Sequence, residues 1–364
     1  MKFTIERAAA LAAMGLVSGL TAKKTIPVLG HVMITADGGD ILFRATNLDQ
    51  EATVIAPGQS NVDGAYCLPA AQLGDIIRNA PEGAEISFAP NTEGTRITIK
   101  AGRSRFNLPF IPADDFPTFP GIDKASEFQI EADKFAGVLS QCAVAMSRDA
   151  TRYILNGVHI KSDGKTLALV GTDGHRLIKC VLDIKTPKLA ATIPSDMVRE
   201  MIKALQGHGA QMAKVRVDAS KVSLAIGSAV VTSKLIDGSF PDVERVIPEH
   251  GPVIANVDRD EFIKAIRRAS SLSEGKVRGV KIEFKPGVAV LSSRGENADG
   301  QDEIDITFDG EAVVVGFNSA LLSDVVGAVD CDVIEIAPAD GHSPVSIKSA
   351  AAPWFTGVVM PLRV

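Results

Sequence analysis

Thr172-Asp173-Gly174-His175-Arg176 is the stretch of this chain that comes nearest to an acid–base or metal site. Asp173 and His175 stand two apart, and an imidazole changes charge near neutral pH. Such chemistry needs a third group. A second His at ligand spacing, a G-x-S-x-G elbow or an H-E-x-x-H helix would supply it, and none occurs. The stretch therefore reads as a structural or docking turn, with a hydrolase centred on Asp173 and His175 as the alternative. Gly164-Lys165-Thr166 suggests a phosphate loop, but Gly157 and Gly164 are separated by six residues where that loop needs four, so it reads as the end of a hairpin turn. Cys67, Cys142, Cys180 and Cys331 lie far apart, without a C-x-x-C pair or a zinc-like His arrangement. They read as buried thiols of a reducing cytosol, and neither metal nor cofactor is expected.

The elements that would position these residues must come from a chain of 364 residues, long enough for roughly two to four domains. Apolar residues make up 46% and charged residues 23%, the balance of a soluble globular protein. Aromatics are only 5%, which argues against a base-stacking platform, and a net charge of -6 argues against a basic coat for gripping phosphates. The opening MKFTIERAAALAAMGL is broken by Glu6 and Arg7, so it reads as a strand and a helix instead of a signal peptide. No run of about 18 apolar residues occurs to span a membrane, and a cytoplasmic protein is expected.

Three copies of one unit fill the chain. FTIERAAALAAMGLVS recurs as FQIEADKFAGVLSQCAVAMS and as ANVDRDEFIKAIRRASSLS, placing Ile5, Ile130 and Val257 in register. Gly30, Gly157 and Gly279 align downstream, as do Thr46, Thr172 and Ser293. Each copy continues with a second helix, in CLPAAQLGDIIRNA, TIPSDMVREMIKAL and VGFNSALLSDVVGAV, and alternating strands close each unit. Pro-rich exits divide the copies, giving three α+β domains at 1-121, 122-248 and 249-364, each long enough to own a core. The helices carry narrow apolar stripes: Met197, Val198, Met201, Ile202 and Leu205 in one, Phe262, Ile263 and Ile266 in another. Together the six helical segments carry +2, leaving -8 for the rest of the chain.

In order and spacing, MKFTIER, RYILNG, GTDGHRL, SKLIDGSFPDVERVIP, GFNSALL and the terminal VVMPLRV resemble the β subunit of bacterial DNA polymerase III, the replicative sliding clamp family. The resemblance covers essentially the whole chain. It implies the DNA clamp fold: a head-to-tail homodimer forming a ring, with two helices of each domain lining a central hole. It also implies a non-catalytic processivity factor in DNA replication, which encircles double-stranded DNA without sequence specificity. The implied partners are a clamp loader, the replicative polymerase α subunit and other proteins carrying a clamp-binding motif.

Carried over residue by residue, the family's peptide pocket takes Leu155, then Thr172, Gly174, His175, Arg176 and Leu177 from TDGHRL. Pro241, Arg245 and Val246 follow from SFPDVERVIP, Asn318 from GFNSALL, and Val358, Met360, Pro361, Leu362 and Arg363 from the terminus. Leu155, Leu177, Val246 and Val358 serve equally well as core. Leu321, Val277 and Val364 depart from the family pattern and bear on peptide preference. DNA contact is expected from Lys23, Lys24, Arg148 and Arg152 beside the helices and from Arg199 and Lys203 on one of them. For ring closure, Arg96, Arg103 and Arg105 with Phe106 and Leu108 in copy one are expected to meet Leu272, Glu296, Asp302 and Glu303 in copy three.

Overall fold

The computed structural model describes residues 1–22, 26–248, 253–272, 278–295, 298–338 and 340–362. Each repeat opens with a strand that runs straight into a helix. Lys2–Glu6 leads to α1 (Arg7–Val17), Ser126–Glu131 to α3 (Ala132–Ala143) and Ala255–Asp258 to α5 (Arg259–Ala269). The aligned Ile5, Ile130 and Val257 are all fully buried. The second helices are α2 (Ala70–Asn79), α4 (Ser195–Leu205) and α6 (Ser319–Gly327).

Local chemistry sets the helix starts. Asp258 accepts from Glu261 N–H at 2.7 Å to cap α5, and Asn318 accepts from the N–H groups of Ala320 and Leu321 to cap α6. The stripe of α4 buries Met197, Val198, Met201, Ala204 and Leu205, each large apolar chain contributing about 1.5–3 kcal/mol. On α5 the inward face is Phe262, Ala265, Ile266 and Ala269, while Ile263, expected inside, is half-buried at the stripe's edge. No described helix is long and apolar enough to cross a membrane.

Two compact units result. The first comprises Met1–Ala136 and Asp196–Leu235. Its thirteen strands form one antiparallel sheet, in which Gln50–Val62 of the first repeat pairs with Ala229–Lys234 of the second, and whose path ends at Ser104–Leu108. The second comprises Gly137–Ser195 and Ile236–Val364. Its eight-stranded sheet runs Leu189–Pro194, Gly157–Ser162, Leu167–Thr172, Arg176–Leu182, Phe355–Val359, Val345–Lys348, Val333–Ala337, Ala255–Asp258. Here the second repeat joins the third through Arg176–Leu182 and Phe355–Val359. A four-stranded sheet in the same unit ends at Asp299–Asp305.

Candidate peptide groove

The residues from Thr172 to Arg176 form the turn between Leu167–Thr172 and Arg176–Leu182. Asp173 Oδ1 accepts from the backbone N–H groups of His175 at 2.9 Å and Arg176 at 3.0 Å, and Arg176 Nε donates to Oδ2 at 3.0 Å. Thr172 Oγ1 donates to Arg176 O and accepts from Gly174 N–H. Gly174 lies at φ +87°, and a Cβ there would stand 2.8 Å from Arg152 Nη1. The first repeat builds the same turn. Thr46 Oγ1 donates to Gln50 O and accepts from Leu48 N–H, Asn47 Oδ1 accepts from Asp49 and Gln50 N–H, and Leu48 holds φ +75°. The stretch with the most enzyme-like composition is thus a repeated structural turn, and His175 is bound to Asp173 through its backbone.

Beyond the turn, Leu177 lies opposite Val358 across the junction of the two repeats. With Val170 they form a small apolar floor, against which Phe240, Val243 and Ile247 pack. The chain end continues over this floor: Met360 N–H donates to His175 O at 2.9 Å, and Leu362 N–H donates to Gly316 O at 2.8 Å. Arg176, its side chain 10% exposed, also reaches Asp324 of α6, the helix that Asn318 caps. Val246 and Met360 remain 45% and 39% exposed. A buried apolar floor with exposed, adaptable side chains at its margin suits the apolar anchors of a short peptide.

The expected pocket residues divide accordingly. Thr172, Gly174, His175, Arg176, Leu177, Val358, Met360 and Leu362 are joined by these bonds and pairings. Pro241, Arg245 and Val246 are exposed on the segment whose Phe240, Val243 and Ile247 cover the floor. Pro361 is half-buried, as is Leu155, whose carbonyl accepts from Ser147 N–H. Arg363, Val277 and Val364 lie outside the described residues. Val170, Phe240, Val243, Ile247 and Asp324 escaped the sequence reading. Strand alternation from Thr172 and the apolar spacing of FPDVERVI could have flagged all but Asp324.

His159 lies directly beneath this segment, its ring stacked on Phe240 with centroids 4.5 Å apart and planes 6° from parallel. Burial, with a smaller push from Lys161, lowers its pKa to about 4, so the ring is neutral at ordinary pH.

The comparisons with known proteins agree along the whole chain. Residues 1–120 match the N-terminal, 129–242 the central and 244–363 the C-terminal domain of the DNA polymerase III beta subunit. The chain belongs to that family. It is 37% identical over 375 residues to the beta sliding clamp of Caulobacter vibrioides, covering 100% of both chains. Among solved structures it superposes on the Pseudomonas aeruginosa clamp bound to griselimycin with a TM-score of 0.95, at 30% identity and 100% coverage of both. The Caulobacter crescentus clamp with bound polyethylene glycol gives 0.92 at 34% identity, covering 100% of this chain and 99% of that one.

Lys23, Lys24 and Glu296 lie outside the described residues. Arg148 is exposed, and Arg152 is exposed but donates to Asp173 O at 3.0 Å, which engages it under the groove turn. Arg199 pairs with Asp196, and Lys203 stands 3.9 Å from Glu200. On the edge strand Ser104–Leu108, Arg105 and Phe106 are exposed, as are Arg96 and Arg103 before it. Leu108, expected on the ring-closing face, is buried at 9% exposure. It lies opposite the buried Ile97 as Phe106 lies opposite Ile99, so that strand face belongs to the unit's own core and only Phe106 protrudes. Leu272 is 40% exposed; on the edge strand Asp299–Asp305, Asp302 is paired with Arg268 at 2.7 Å and Glu303 is exposed.

Proposed function

We propose that this chain is the sliding clamp of a bacterial replication machinery, a cytoplasmic processivity factor without catalysis of its own. The observation that carries the reading is the end-to-end match of three consecutive domains to one family, over residues 1–120, 129–242 and 244–363. Two copies close head to tail into a ring, the exposed edge Ser104–Leu108 of one copy meeting Asp299–Asp305 of the other. Unpaired strand edges of this kind are templates for pairing between chains. The six helices line the hole, and their weak positive balance within an acidic chain favours sliding over gripping. A clamp loader places the ring on duplex DNA. The groove of Leu177, Val358 and Met360 receives peptides of the polymerase α subunit and other users, and we propose that griselimycin, which is bound to the Pseudomonas aeruginosa clamp, occupies the same groove here. Primer extension with loader and polymerase tests this: the reading expects long products only when the chain is present, and equal product lengths with and without it would refute the reading.

A further inference from the structure

The groove wall from Ile236 to Ile247 has one short turn of regular structure, Val243–Val246, so contacts with the sheet must hold it over the floor. In that sheet His159, Val170 and Lys179 lie in register on three neighbouring strands and share one face. Val170 belongs to the floor, and the other two flank it. The wall crosses this row. Ile236 N–H donates to Thr192 O at 2.9 Å, and Thr192 Oγ1 meets His159 Nδ1 at 3.0 Å. The His159 ring then carries Phe240. Two strands away, Lys179 Nζ donates to both carboxylate oxygens of Glu244, at 2.6 and 2.8 Å. The Lys179 side chain is only 18% exposed, so this pair is fixed at its sheet end.

We propose that His159 and Lys179 are positioning residues: they pin the wall at Phe240 and at Glu244 and so set how long a bound peptide stays in the groove. The proposal rests on the groove reading above, so its test carries a variant for each. Griselimycin binding to the full-length protein is followed by surface plasmon resonance, with melting recorded in parallel. Val246→Asp alters the exposed groove margin itself, and unchanged griselimycin affinity in that variant refutes the groove reading.

Lys179→Met and Glu244→Gln are each expected to speed dissociation about fivefold, the effect of losing one partly exposed ion pair. The exchanged pair, Lys179→Glu with Glu244→Lys, restores the parent rate to within about twofold. His159→Ala releases griselimycin faster and His159→Phe, which keeps the stacked ring, does not. If Val246→Asp weakens binding while the Lys179 and His159 variants release griselimycin at the parent rate, the positioning role is refuted. An exchanged pair as fast as the two single losses combined would refute it equally.

Discussion

Replacing His159 with Phe should make the protein less sensitive to acid, by an amount that follows from the buried ring. The imidazole pKa lies at about 4 in the fold against 6.5 ordinarily. Between those values the unfolded chain binds a proton that the folded chain refuses. Stability is therefore full above pH 6.5, declines as pH falls, and levels off below about pH 4, with a loss of about 2 kcal/mol at pH 5. His159→Phe keeps the stack on Phe240 and loses the bond to Thr192, a cost of about 1 kcal/mol at pH 7.5. Urea unfolding of both proteins at pH 7.5 and pH 5 isolates the effect, because the carboxylates titrate alike in the two. The stability difference should move in favour of the variant by about 2 kcal/mol on acidification. A difference that stays constant between the two pH values would show that His159 is not held neutral by burial.

Deleting Met360–Val364 removes the Met360–His175 and Leu362–Gly316 backbone bonds and should abolish binding of a clamp-binding-motif peptide while circular dichroism and oligomeric state stay unchanged. Leu272→Ala, or Phe106→Ala, should yield folded monomers in sedimentation at nanomolar concentration, since both side chains lie exposed where ring closure is proposed. Gly174→Ala should cost about 1–2 kcal/mol in urea unfolding, because its φ of +87° and the nearby Arg152 guanidinium both oppose a Cβ. Glu51, whose pKa burial raises despite Arg44 beside it, pays for ionisation in the fold; Glu51→Gln should stabilise the protein at pH 7, with the gain shrinking as pH falls towards the carboxyl range.

The repeat was legible because burial imposes the same pattern three times: Ile5, Ile130 and Val257 begin each copy and all are inside. The groove was legible only in part. Leu177 and Val358 come from the family resemblance alone, because the sheet that pairs them joins residues 181 positions apart and no local signal carries that pairing. The role of Asp324 depends on a helix from the third repeat reaching Arg176 of the second, again a long-range contact. Alternation also grouped Leu108 with Phe106 correctly, yet it could not tell which face of an edge strand the core covers. The Thr172 turn has an enzyme-like composition because Asp and His are residues of both chemistry and tight turns, and its counterpart at Thr46, without a His, shares the structural role already favoured for it.

The central claim is that this chain holds DNA by encircling it. Loading the labelled protein with its clamp loader onto nicked circular duplex, then cutting half the sample once with a restriction enzyme, measures that directly by gel filtration. The protein should remain with the intact circles and be lost from the linear DNA; equal retention on both, or tight binding to short linear duplex with a steep salt dependence, would contradict it.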